Sequence, residues 1–174
     1  MKFGHEWREE PFQLANAGLS HDYIDGKRAI AKGSRYQLVA EAIVAMAAER
    51  GVEFDAVGGM TMGADPIAVA VAVRTDAWWF SVRKEAKKHG KLKRIEGAEL
   101  TEDTRVLLVD DVITTGGSTL SALDAVEEAG ASVVLVTTLV DRSDMAGKAL
   151  EARGVNYEPL LTYSSLGIEP VASS

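Results

Sequence analysis

Residues 106 to 119 read Val-Leu-Leu-Val-Asp-Asp-Val-Ile-Thr-Thr-Gly-Gly-Ser-Thr, and no other stretch of the chain offers so much chemistry in so few residues. An apolar strand delivers two adjacent carboxylates, Asp110 and Asp111, to its carboxyl end. Val112 and Ile113 follow, and then a loop of Thr114, Thr115, Gly116, Gly117 and Ser118 enters a helix. Such a loop offers backbone N–H groups and hydroxyls to a phosphate, and the helix N-terminus adds its positive end. Gly116 and Gly117 allow the backbone to approach a ligand closely. Two acids beside a phosphate cradle repel one another unless they bind something, and ribose hydroxyls or a magnesium ion would satisfy them. A capping Asp alone does not account for the run, because a cap needs one side chain rather than an ordered series of polar and glycine residues. The G-x-G-x-x-G of a dinucleotide fold and the Gly-Lys-Thr of a Walker loop are both absent here.

A second candidate lies upstream. Residues 83 to 94 read Arg-Lys-Glu-Ala-Lys-Lys-His-Gly-Lys-Leu-Lys-Arg, which places seven of the 19 Lys and Arg in twelve residues. An anionic small ligand would explain a basic island on an otherwise acidic chain. A third is Arg142, closing the run Thr-Leu-Val-Asp-Arg from Thr138. Its planar fork can bind both oxygens of a carboxylate. Trp78, Trp79 and Phe80 could stack on a base, but three aromatics in one strand read rather as core or as a contact between subunits. His5 and His21 have no partners at metal-ligand spacing, so no site of protein metal ligands is expected.

The elements that must position these groups follow from periodicity and punctuation. Phe12–Leu14 and Asp22–Asp25 read as two short strands around a Gly-Leu-Ser turn. Ser34 to Arg50 reads as a helix with Leu38, Val39, Ala42, Ile43, Met46 and Ala47 on one stripe. Ser34 with Gln37 suggests a capping box, and Gly51 an end. Strands are expected at 54–58, 78–82, 104–109, 132–140 and 155–161. Helices are expected from Asp65-Pro66, with Asp as the cap, and over 117–129 and 143–153. The strands are near-continuous Val and Leu runs alternating with helices, which is the pattern of an α/β fold with a parallel sheet covered on both faces. Ligands bind such sheets at the carboxyl ends of the strands, so the loops after Val57, Val82, Val109 and Val140 should share one site.

Bulk properties exclude several classes. The 174 residues suggest a single domain: a hood over 1–33, an α/β core over 34–163 and a tail over 164–174. There are no cysteines, so disulfides, thiolate metal sites and cysteine nucleophiles are ruled out. A net charge of −7 makes a poor non-specific binder of nucleic acid. The longest apolar stretches, Ile67–Val73 and Val133–Val140, fall short of a membrane span, and a soluble, cytoplasmic protein is expected.

The 106–119 segment resembles the PRPP-binding signature of the type I phosphoribosyltransferases throughout its length. The resemblance implies that Asp110 and Asp111 hold the ribose hydroxyls of PRPP and that Thr114 through Thr119 hold its 5-phosphate. The Arg83-to-Gly90 segment is similar to the catalytic loop of the orotate phosphoribosyltransferases, in which a mobile loop closes over the neighbouring subunit's site. By that resemblance Arg83, Lys84, Lys87 and His89 serve the diphosphate, with Lys87, His89 and Asp111 catalytic. Thr114 and Arg142 would hold orotate, and Ser20, Tyr23 and Asp25 belong to a hairpin that roofs the base. The resemblance further implies a doubly wound fold, a homodimer, and Mg2+ carried on PRPP rather than held by protein ligands. Where that hairpin usually carries Leu-Lys-Ser-Gly, this chain has Leu14-Ala15-Asn16-Ala17, and Met62 precedes Gly63 where a Lys is common. Transfer to another base, or a regulator that binds PRPP without transferring it, therefore stay open.

Overall fold

In the computed structural model, which describes residues 4–14, 18–85 and 94–171, a six-stranded sheet carries the molecule. Its strands are β3 (Ala56–Gly58), β4 (Trp78–Val82), β5 (Ile95–Gly97), β6 (Arg105–Ile113), β7 (Ser132–Asp141) and β8 (Tyr157–Thr162), in the order β5-β4-β3-β6-β7-β8. All neighbours are parallel except β5, which runs antiparallel to β4. A separate antiparallel pair, β1 (His5–Gln13) and β2 (Leu19–Ile24), precedes it.

Successive residues of β6 explain the layering. Leu107 and Val109 face α2 (Gly33–Glu49) and α3 (Asp65–Thr75) through Val39, Ile43, Ile67 and Val71. Val106 and Leu108 face α4 (Gly117–Glu128) and α5 (Met145–Glu151) through Leu123, Val126 and Leu150. Both faces of the strand are therefore buried, which is why it reads as a continuous apolar run rather than an alternation. The chain winds outward from β3 through α3 to β4, and in the opposite direction from β6 through α4 to β7. The order reverses between β3 and β6, so a crevice opens beyond their carboxyl ends. Among the described residues, no helix is long and apolar enough to cross a membrane.

Several local expectations are corrected. The hairpin strands are longer than expected, and Leu19 and Ser20 lie within β2 rather than in the turn, which is bridged from Leu14 N–H to the Gly18 carbonyl. α2 begins at Gly33 behind Lys32, with no side-chain cap, so the Ser34 capping box does not form. Its buried stripe is rotated: Ala40 is buried, Ala42 is exposed and Leu38 is 65% exposed, because α3 packs against the small residues. Asp65 is the first residue of α3 rather than its cap, and its carboxylate accepts from Thr61 Oγ1 at 2.6 Å. The 143–153 helix forms only over Met145–Glu151. β5 and the short α1 (Gly26–Ile30), which lacks enough turns for a periodic signal, were not anticipated. The acid pair does not follow the strand but lies inside it, because β6 continues to Ile113.

Candidate active site

The crevice at the sheet reversal is an open cavity of about 390 Å³. Asp110 and Asp111 form its floor. The Thr114–Thr119 loop lines one side and Met60–Gly63 the other, with Lys27, Lys84 and Leu14 at the rim. Three of the four loops expected to share a site thus meet here, those after β3, β4 and β6.

Each acid is fixed by its own backbone. Asp110 Oδ1 accepts from the Asp111 N–H at 2.9 Å, and Asp111 Oδ1 accepts from the Val112 N–H at 2.9 Å. Thr119, inside the first turn of α4, donates to Asp110 Oδ2 at 3.3 Å. From β7, Thr138 Oγ1 donates to the carbonyls of both acids at 3.2 Å. Burial, with the neighbouring Asp111 charge behind it, pushes the Asp110 carboxyl up to about 7. Gly63 closes the opposite wall: a Cβ there would stand 2.6 Å from Asp111 Oδ1 and 2.9 Å from Asp110 Oδ1. Only glycine lets that loop lie against the acids.

The Thr/Gly loop turns into α4 at Gly116, whose φ of 79° is the left-handed conformation. With no ligand-independent cap on the helix, the free N–H groups of its first turn remain available to an anion. The loop is tied to β7 from below: Ser143 Oγ donates to the Thr114 carbonyl at 2.6 Å, and the Arg142 N–H to the Ile113 carbonyl at 2.9 Å. Asp141 braces this corner, accepting from the Ser143 N–H and from the Tyr157 hydroxyl. Burial raises its pKa against those bonds.

Among the residues singled out by sequence, Asp110 through Ser118 and Lys84 come together around the cavity. Arg83 is not among its lining: its guanidinium turns to Glu96 of β5 at 3.4 Å, and it lines an adjoining hollow with Glu85 and with Thr61 and Lys84, which line the cavity as well. Arg142 is 2% exposed and points to the hairpin, where Nη2 donates to Ser20 Oγ at 2.9 Å. Its Nε is buried and has no hydrogen-bond partner among the described residues. Burial lowers its pKa, and the Asp22 charge offsets part of that. Lys87, His89 and Ala15 lie outside the described residues.

Three features had no counterpart in the sequence reading. Lys27 Nζ stands 3.2 Å from Asp111 Oδ2. Carboxylates outweigh burial at this lysine: against desolvation, Asp111, Asp25 and Asp110 raise its pKa. His5, which had no expected partner, pairs with Asp22 at 2.6 Å. The Asp141–Tyr157 brace joins two strands with no shared motif. All three pairings link residues 16 or more apart in sequence, where spacing carries no signal. The nearest available hint was Asp25, which caps α1 by accepting from the Arg28 N–H at 2.9 Å and so sets where Lys27 must stand.

A doubly wound sheet with a buried acid pair and an anion-binding helix start at its reversal point defines a nucleotide- or sugar-phosphate-binding protein. A sequence model of the phosphoribosyl transferase domain matches residues 30–152, and the chain belongs to that family. It is 42% identical over 166 residues to the orotate phosphoribosyltransferase of Pyrococcus furiosus, a match covering 95% of this chain and 87% of that protein. The fold is similar to that of orotate phosphoribosyltransferase from Mycobacterium tuberculosis solved with Fe(III) dicitrate, with a TM-score of 0.78, 35% identity, and 96% and 94% of the two chains covered. A structure of the Mycobacterium tuberculosis protein with PRPP aligns at a TM-score of 0.71 and 37% identity, covering 84% of each chain.

Proposed function

We propose that this chain is an orotate phosphoribosyltransferase, moving the 5-phosphoribosyl group of PRPP onto orotate to give orotidine 5′-phosphate and diphosphate, a step toward UMP. The observation that carries the reading is the acid pair held inside β6 beside an uncapped helix start, which fits a ribose with a phosphate at one end. Asp110 and Asp111 take the ribose hydroxyls, and Thr114 through Ser118 take the 5-phosphate. The orotate ring nitrogen attacks C1 of the ribose, the C1–O bond to diphosphate breaks with its electron pair leaving on the diphosphate, and the ring N–H proton passes to the departing diphosphate. Asp111 stabilises the cation-like ribose. Lys87 and His89, with Arg83 and Lys84, meet the charge that grows on the leaving group, stabilising it most as it develops. Arg142 and Thr114 orient orotate. Mg2+ carried on PRPP would supply positive charge to the leaving diphosphate, while Asp110 and Asp111 hold the sugar.

The enzyme is read as a cytoplasmic homodimer whose basic loop completes the partner's site. Arg83 turned away from its own cavity supports that sharing. So do Leu38, Val69, Val73 and Trp78, large apolar side chains left exposed on α2, α3 and the start of β4. One observation favours a second reading, transfer to a different base: the Asp22 carboxylate acts on Arg142, the cation meant for orotate's own carboxylate. Incubation with PRPP, Mg2+ and a panel of bases, with products separated by chromatography, decides between them. Orotidine 5′-phosphate and diphosphate in equal amounts support orotate. Turnover of another base with none of orotate supports the second reading.

A further inference from the structure

Lys27 stands at the cavity without belonging to any motif. The hood delivers it on a fixed backbone. Asp25 caps α1, and Arg35 of α2 donates to the Ala29 carbonyl at 2.8 Å. Gly26 rests directly on β6, where a Cβ would meet Val112 Cγ2 at 2.8 Å and Asp111 Cβ at 3.2 Å. That contact sets α1 against the acid strand, so that the next residue reaches Asp111 Oδ2.

The need for a counter-charge is local. Asp110 and Asp111 are adjacent and mostly buried, and each ionised carboxylate opposes the other. The β3–α3 loop meets Asp111 at Gly63, where a Cβ would press on the carboxylate. The charges acting on Lys27 are Asp111 and Asp110 of β6 and Asp25, the cap of α1, and Lys84 lines the same cavity. Among the described residues that line the cavity, Lys27 and Lys84 are the two cations. The Lys27 side chain is 54% exposed and that of Asp111 is 13% exposed. An ion pair with so wet a partner contributes little to folding, so its placement calls for a ligand-side reason.

Resting on the phosphoribosyltransferase reading above, we infer that Lys27 is a PRPP-positioning residue that holds the Asp111 carboxylate aimed into the cavity, ready for a ribose hydroxyl.

The test is calorimetric titration of the full-length protein with PRPP and Mg2+, without base, for the parent, Lys27→Ala and Lys27→Arg. The dissociation constant should rise about tenfold in Lys27→Ala, equal to about 1.4 kcal/mol, and return most of the way in Lys27→Arg. In the coupled assay the KM for PRPP should move and that for orotate should not. Parent-like PRPP binding by Lys27→Ala overturns the inference and leaves the family reading standing. Weak binding that Lys27→Arg does not restore, with a lowered Tm in both variants, assigns Lys27 a structural role and also overturns it. A parent that binds no PRPP overturns both.

Discussion

The acid-pair cradle and the amino-terminal hood face the same cavity and are built in opposite ways. The cradle grows from a strand packed on both faces, and each of its carboxylates is locked by the next backbone amide. The hood leaves Trp7 and Leu19 exposed. It is held by Arg8 lying 4.9 Å over the Tyr23 ring, by the His5–Asp22 pair and by His21 against the Arg8 carbonyl. It touches the cradle where Gly26 packs on Val112 and Asp111, and through two polar contacts, Ser20 to Arg142 and Lys27 to Asp111. The difference teaches where rigidity is required. The acid pair is fixed by the core, whereas the hood is held to it mainly by polar contacts and one close backbone packing.

Substitutions in the cradle should have the larger effects. Asp110→Asn should weaken PRPP binding about a hundredfold, or 2.7 kcal/mol, measured by calorimetry at pH 8. The same variant should be more stable than the parent at that pH. The sign follows from linkage: the unfolded carboxyl releases its proton near 3.8, while the folded one holds it to about 7. Stability from this group is therefore fully present below about 4 and falls as pH rises to about 7. A Tm advantage of about 3 to 6 °C at pH 8, closing at pH 4, is expected. An equal advantage at both values contradicts the assignment of the charge.

Gly63→Ala comes next. Its methyl would press on both carboxylates, so PRPP affinity should fall about thirtyfold with the fold intact by circular dichroism. Unchanged affinity would show that the β3–α3 loop has slack.

The hood should give the smallest changes. Ser20→Ala frees one N–H of a buried guanidinium and should raise the KM for orotate three- to fivefold, roughly 1 kcal/mol, without moving that for PRPP. A change in both would mean that the hood and the cradle are less separable than the contacts imply.

The same contrast governs what could be read from the sequence. β6 and α4 announce themselves through an unbroken apolar run, a Gly-rich loop and a helical stripe, and only the position of the acids within the strand was missed. β1 reads His-Glu-Trp-Arg-Glu-Glu-Pro-Phe-Gln, with no sustained alternation to mark its length. α1 spans five residues, too few for a period. The α2 stripe was misjudged at Leu38 because residue size does not reveal where α3 presses; there the buried position is Ala40. The contacts between hood and cradle join residues far apart in sequence. Lys27 and Asp111 become neighbours only once β6 is folded and Gly26 lies on it.

The central claim is transfer from PRPP to orotate at this cavity, and it is tested most directly by the loss of orotate absorbance with PRPP and Mg2+, run beside Lys87→Ala. The account predicts turnover by the parent and a fall of at least about a hundredfold in the variant, about 2.7 kcal/mol of lost transition-state stabilisation. No orotate consumption by a parent that still binds PRPP would contradict it.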